Sequence, residues 1–155
     1  MKKDIFIDNN IATKFAGTTN VHYQEIANWL METPDAYLVI SESLRKEYFR
    51  SNEHCNKSFS IISIYHTLIA AGRLISKSKQ EIELFKNKYF DKKVWRGLRC
   101  KRKGSDDPSH MALVYLSDRR MALSDDINFI FDLQNFPRFG SKVTAASWPS
   151  NLDYK

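Results

Sequence analysis

The chain has 155 residues and a mass of 18.1 kDa, 43% of them hydrophobic and 27% charged; that fits one domain, leaves no room for a second, and argues against a disordered tail. No stretch approaches the roughly 18 uninterrupted apolar residues of a membrane helix, so a membrane-spanning role is not expected. Twenty-four Lys and Arg stand against 18 Asp and Glu, for a net charge of +6 and a pI near 9.3, a bias toward a polyanionic partner that many basic proteins without one also show.

At the N-terminus, "MKKDIFIDNN" has two lysines, but an aspartate follows at once and "IFI" is too short for a secretory signal. A cytoplasmic protein is expected. "DIFID", Asp4 to Asp8, is a short apolar run that predicts a buried strand delivering Asp8 at its C-terminal end. "VHYQEIANWLM" has helical spacing from Val21 to Met31 and is stopped by Thr33, Pro34 and Asp35. "AYLVI", Ala36 to Ile40, predicts a second strand, after which Ser41 caps a helix "ESLRKEYFR" with Glu42 in its first turn.

"SFSIISIYHTLIAAG", Ser58 to Gly72, is rich in isoleucine, yet its length and terminal glycine predict a helix. Lys79 to Trp95 repeats apolar residues at Ile82, Phe85, Tyr89 and Phe90, the stripe of one amphipathic helix. The basic run from Arg96 to Asp107 predicts a loop. "DPSHMALVYLSD" then offers Asp107 as an N-cap with proline at the first helical position. "MALS", Met121 to Ser124, predicts a strand ending at Asp125 and Asp126, "INFIFDL" a short helix, and "KVTAAS", Lys142 to Ser147, a last strand. Apolar strands alternating with helices predict an α/β fold: a mostly parallel sheet covered on both faces, three layers in all. Cys55 and Cys100 have neither CxxC spacing nor a nearby histidine pair, so both are expected as reduced thiols.

In such a sheet ligands bind beyond the carboxyl ends of the strands, where the strand order reverses. Asp8 and the Asp125 and Asp126 pair directly follow short apolar runs, which puts them at that edge. Glu47, on the helix after the second strand, and Asp107, opening the helix before "MALS", can lean over it. Taken singly, Asp107 and one of Asp125 or Asp126 are better explained as helix N-caps worth about 1 kcal/mol each, and Glu47 as a solvated helix residue. Together they form a cleft of like charges, which either raises its own pKa values or takes a cation; Mg²⁺ and Mn²⁺ prefer carboxylate oxygen and water.

These residues resemble, in order, the motifs of the PIN-domain nucleases, the family that includes the VapC-like toxin ribonucleases. The motifs are a strand followed by Asp8-Asn9-Asn10, a helix carrying Glu47-Tyr48, "DPSHMAL" from Asp107, and Ser124-Asp125-Asp126 followed six residues later by Asp132. The resemblance covers most of the chain from Asp4 to about Phe136. It implies a Rossmann-like PIN domain and a metal-dependent endoribonuclease. Asp8, Glu47, Asp107 and Asp126 would hold Mg²⁺ or Mn²⁺, Asp132 would contribute from outside, and Asn10 and Ser124 would orient ligands. It also implies an RNA substrate and suggests an antitoxin partner and a homodimer; the apolar Ser58–Gly72 segment could supply that interface, and core burial explains it equally well.

The inserted Ser109 leaves Asp106 and Asp107 as rival ligands, and Ser124-x-Asp spacing favours Asp126 over Asp125. The basic residues Arg96, Arg99, Lys101, Arg102 and Lys103 would border the cleft and contact phosphates. His110 and His66 are expected to be packing residues, and Trp95 and Trp148 packing more than base-stacking residues. Two competing functions stand beside the ribonuclease: a non-catalytic PIN-like module that binds RNA or protein, and a nuclease of the same fold acting on DNA.

Overall fold

A computed structural model describes residues 1–53, 59–101, 104–136, 142–145 and 152–155. Five strands, Lys3–Ile7 (β1), Ala36–Ile40 (β2), Leu74–Ser76 (β3), Met121–Leu123 (β4) and Lys142–Thr144 (β5), form one sheet in the order β3-β2-β1-β4-β5. Every pair in it is parallel. Among the described residues the helices are Asn9–Ala12 (α1), Val21–Glu32 (α2), Glu42–Asn52 (α3), Ile61–Ala70 (α4), Lys79–Tyr89 (α5), Lys92–Gly97 (α6), Asp107–Leu116 (α7) and Ile127–Asn135 (α8). They enclose the sheet in a three-layer α/β/α arrangement of Rossmann-like type. None is long and apolar enough to cross a membrane.

The strand sequences explain the arrangement. Ile5, Phe6 and Ile7 of β1, Leu38 and Val39 of β2, and Ala122 and Leu123 of β4 are fully buried, as a parallel sheet packed on both faces requires. From β1 the chain builds outward through β2 to β3, then crosses back to add β4 and β5 on the other side. The order therefore reverses between β1 and β4, where Phe6 is in register with Ala122 and Ile7 with Leu123. The crevice beyond those two strand ends is the fold's natural binding place.

Several sequence expectations need correction. The stripe from Lys79 to Trp95 is two helices, because Asp91 stops the first and caps the second, its Oδ1 accepting from the Val94 N–H at 2.9 Å. Asp107 is inside α7; Asp106 occupies the N-cap position and makes no side-chain capping bond. The three-residue strand β3 and the four-residue helix α1 are too short for any periodicity to show. In the Ser58–Gly72 segment, α4 begins at Ile61 with Ser60 as its cap. Its end at glycine is a Schellman motif: Gly72 has φ +67, its N–H donates to Ile69 O, and the Arg73 N–H donates to Leu68 O at 2.8 Å. Ile61, Ile64 and Leu68 of this helix are spent in the core, leaving Ile69 as its exposed large apolar residue. Ser58, Cys55, Trp148 and the Ala146–Ser147 end of the last predicted strand lie outside the described residues.

Arg73 closes the fold between α2 and β2. Its buried guanidinium donates to Leu30 O at 2.7 Å, Thr33 O at 2.7 Å, Ala36 O at 3.1 Å and Met31 O at 3.0 Å. These include carbonyls that the end of α2 cannot pair within its own helix, at the negative end of the helix dipole. Arg73→Met should therefore lower the unfolding free energy in a urea titration by about 3 kcal/mol, the cost of orphaning a charge-assisted set of hydrogen bonds. A loss within the error of the titration would contradict this role.

Candidate active site at the β1 and β4 strand ends

Asp8 directly follows β1, and its backbone N–H donates to Leu123 O at 2.9 Å, adding one rung to the β1–β4 pairing. That rung fixes the carboxylate at the mouth of the crevice. Oδ1 accepts from the Asn9 N–H at 2.8 Å, which makes Asp8 the N-cap of α1. Oδ2 accepts from Ser124 Oγ at 2.6 Å and Asn10 Nδ2 at 3.2 Å. Ser124, the residue after β4, is fully buried and accepts in turn from the Asp126 N–H at 3.0 Å. Asn10 Oδ1 accepts from the Asp125 N–H at 3.2 Å. Asn10 and Ser124 thus lace the two strand ends together, a role that suits residues orienting the acids around them.

The neighbouring aspartates divide their work. Asp125 Oδ2 accepts from Lys14 Nζ at 2.7 Å and from the Tyr23 hydroxyl at 3.1 Å, and the hydrogen bond to Asp125 is the main reason the Lys14 pKa is raised. Its charge is already matched by a cation. Asp126 caps α8, its Oδ1 accepting from the Asn128 and Phe129 N–H groups at 2.9 and 3.2 Å, and it also acts on Asp107 through space. Capping and site membership coexist in one side chain. At the start of α7 the division is similar. Asp106 accepts from Ser43 Oγ at 2.6 Å on the α3 side, and Ser109 accepts from Lys86 of α5 at 3.1 Å. Asp107 and His110, three residues apart, share the other helix face.

Glu47 reaches this face from α3, which is tied to β1 by the buried Tyr48 hydroxyl donating to Ile7 O. His110 Nε2 lies 2.9 Å from Glu47 Oε1. The electrostatics confirm that the groups sense one another. Burial pushes Asp8 above the ordinary carboxylate range and Asp107 pushes it further, against the opposing Ser124 hydrogen bond and the His110 charge. Asp107 is raised by burial first, with Asp126 and Glu47 adding to it. For His110 burial works toward the neutral form, but its hydrogen bond to Glu47 and the charges of Glu47, Asp8 and Asp107 outweigh it, so its pKa is raised. Asp8, Glu47, Asp107 and Asp126 are therefore brought to one region, with His110 as a partial counter-charge.

His110 packs as expected, buried against the Phe6 ring, and its contact with Glu47 is what local sequence does not state. The Asp-x-x-His spacing puts both side chains over one turn of helix. His66 also packs, edge-on against Phe49 and Tyr65. Asp132 is a correction to the predicted ligand set. Both of its oxygens accept from the Arg99 N–H, at 3.0 and 2.9 Å, and one also from the Cys100 N–H at 2.7 Å. Buried in this way, it anchors the basic loop rather than facing a cation. Arg96 and Arg99 are exposed, Arg99 lies 3.4 Å from the centroid of the Phe131 ring, and Lys101 donates to Trp95 O at 2.7 Å; Arg102 and Lys103 lie outside the described residues.

Among the described residues no group of three or more His, Cys, Asp or Glu side chains is arranged as a metal cage. The donor set nevertheless fits a hard divalent ion: all four site acids offer carboxylate oxygen, and burial and mutual repulsion hold two of them above their ordinary pKa range. Mg²⁺ retains several waters and takes only one or two carboxylates directly, so it does not require a closed protein cage. Compared with known proteins, the chain matches no family model, no curated protein and no solved structure.

The raised carboxylates set the sign of a stability effect. A carboxyl group whose folded pKa exceeds its unfolded value favours the native state most at low pH, and that contribution is lost as pH rises through the folded value. Asp107 therefore weakens the fold at neutral pH. Asp107→Asn should raise the thermal midpoint by a few degrees at pH 7, and the gain should vanish at a pH below the unfolded carboxylate range. A midpoint lowered at pH 7, or a gain independent of pH, would contradict the electrostatic description.

Proposed function

We propose that this protein is a PIN-like, metal-dependent endoribonuclease that hydrolyses RNA phosphodiester bonds with Mg²⁺ or Mn²⁺. The observation that carries the reading is the meeting of Asp8 and Asp107, both held above the ordinary carboxylate range, with Asp126 and Glu47 acting on Asp107. It occurs at the crevice where this sheet reverses its strand order. A cluster of this kind is costly to fold, and a bound cation and a phosphodiester give it a use. The ordered motif resemblance supports the same class. It also supports a toxin–antitoxin setting, with an antitoxin protein and a second copy of the chain as partners.

Asp8, Glu47, Asp107 and Asp126 would hold the ion, in part through its water. When bound, the ion supplies a water of lowered pKa and neutralises charge on the scissile phosphate. The chain's own residues supply position. Ser124 and Asn10 fix the Asp8 carboxylate through its Oδ2 atom, and His110 fixes Glu47 through Nε2. Asp107, partly open to solvent and raised in pKa, is suited to accept the proton that hydrolysis releases. Arg96, Arg99 and Lys101 at the rim are suited to the phosphates on either side of the cut.

With purified protein and mixed RNA, cleavage should need Mn²⁺ or Mg²⁺ and stop on chelation. Asp8→Asn and Asp126→Asn should each lower the rate by about a hundredfold or more, and Ser124→Ala by about tenfold. Cleavage that survives both aspartate substitutions would reject this site. A single-stranded DNA substrate in parallel separates the RNA enzyme from a DNA-directed one.

A second reading is favoured by one observation, the lack of a preformed three-ligand cage among the described residues. It makes the chain a non-catalytic PIN-like module that binds RNA or protein. Calorimetry decides between them: the nuclease takes up Mn²⁺ in a way that Asp8→Asn weakens by about tenfold or more, and the binding module takes up none.

A further inference from the structure

A groove of about 380 Å³ lies between α6 and α8, and none of Asp8, Glu47, Asp107 and Asp126 lines it. Its walls include Val94, Leu98, Phe131 and Phe136, with Lys93, Asp91 and Asp132 as the charged lining residues. The volume is within the roughly 300–1,000 Å³ range of sites that take a small organic group. Asp132 is six residues along α8 from its cap Asp126, roughly 9 Å at 1.5 Å per residue. The groove therefore opens within a few nucleotides of any phosphate held at Asp126.

Its chemistry is specific. The Arg99 guanidinium lies at contact distance over the Phe131 ring, 3.4 Å from its centroid. Asp132 fixes the Arg99 backbone beside it through the N–H. Aromatic rings and arginine planes are the surfaces on which unpaired bases stack. Around them, α6 carries Lys92, Lys93 and Arg96, and the loop carries Lys101. Trp95, on the same short helix, leaves 42% of its surface exposed. The basic residues of α6 and the loop outnumber the two lining acids, Asp91 and Asp132, whose oxygens already accept backbone N–H groups, so the slot suits a flat, largely apolar group joined to negative charge. A neutral apolar ligand would not need the cations, and an acidic peptide would not need the slot.

We propose that the groove between α6 and α8 is a nucleobase pocket, in which an unpaired base of the bound RNA inserts beside Phe131 and Arg99 while the cations of α6 and the loop hold its flanking phosphates. This rests on the reading of the chain as an RNA-cleaving enzyme, and it makes the substrate single-stranded, because a base paired in an A-form helix cannot enter the slot.

The test uses the full chain carrying Asp8→Asn, so that RNA is bound and not cut. Fluorescence anisotropy compares a short labelled single-stranded RNA with the same strand made abasic at its central positions. The intact strand should bind about tenfold more tightly. Phe131→Leu, and separately Arg99→Lys, which keeps the charge and removes the plane, should each bring that ratio close to one. Should Phe131→Leu fail to fold, the exposed Arg99→Lys decides. Equal binding of the two strands, no binding of either, or a ratio unaffected by Arg99→Lys would overturn the pocket. Cleavage by the unsubstituted chain is measured alongside. Asp8-dependent cleavage with base-independent binding removes the pocket alone, and base-dependent binding without cleavage removes the nuclease reading alone.

Discussion

The β1–β4 pairing sets the terms for everything at the site. Because Asp8 donates its N–H to Leu123 O, the carboxylate after β1 and the Ser124-Asp125-Asp126 turn after β4 are held side by side. This junction is where the parallel sheet reverses its order. The chain cannot build this sheet without gathering acid there. The energetic consequence is visible in Asp8 and Asp107, whose charged forms are disfavoured chiefly by burial and then by neighbouring carboxylates, Asp107 for Asp8 and Asp126 and Glu47 for Asp107. Local relief is partial: Ser124, Asn10 and the Asn9 N–H serve Asp8, and His110 serves Glu47.

Around this junction, each acid not used in the cluster has its own partner. Asp125 is matched by Lys14 and Tyr23, and Asp106 by Ser43. Buried Asp4 accepts from the Asp118 and Arg119 N–H groups, bracing the turn that leads into β4. Asp132 braces the basic loop. These pairings separate the acids that tie neighbouring segments together, Asp4, Asp106, Asp125 and Asp132, from Asp8 and Asp107, which burial and neighbouring carboxylates hold above the ordinary range. The distinction is one of environment, and the adjacent, identical residues Asp106 and Asp107 fall on opposite sides of it.

That is also why the sequence discloses the fold more fully than the site. Alternating apolar runs suffice for β1, β2 and β4, since strands buried on both faces leave an unbroken hydrophobic signal, and Asp8 stands out as a charge at the end of one. Strand β3, with three residues and half-buried Leu74 and Ile75, leaves no such trace. The break between α5 and α6 depends on one capping aspartate within an otherwise continuous stripe. Choosing between Asp106 and Asp107 depends on which helix face meets α3 and α5, which no local pattern carries. His110 and Asp132 depend on partners 63 and 33 residues away. The motif resemblance supplies the list of acids, while only tertiary contacts show which of them anchor a loop and which confront one another.

The most direct test of the shared pocket is paramagnetic broadening by Mn²⁺, followed residue by residue in the amide NMR spectrum of the full chain at substoichiometric metal. A single ion held by Asp8, Glu47, Asp107 and Asp126 should broaden the amides of Asn9, Glu47, Asp107 and Asp126 together at the lowest concentration. The amides of Glu32 and Asp35, beside the opposite ends of β1 and β2, should remain sharp. Broadening that begins at those surface acids, or that spreads evenly with no focus at the β1 and β4 strand ends, would contradict the account.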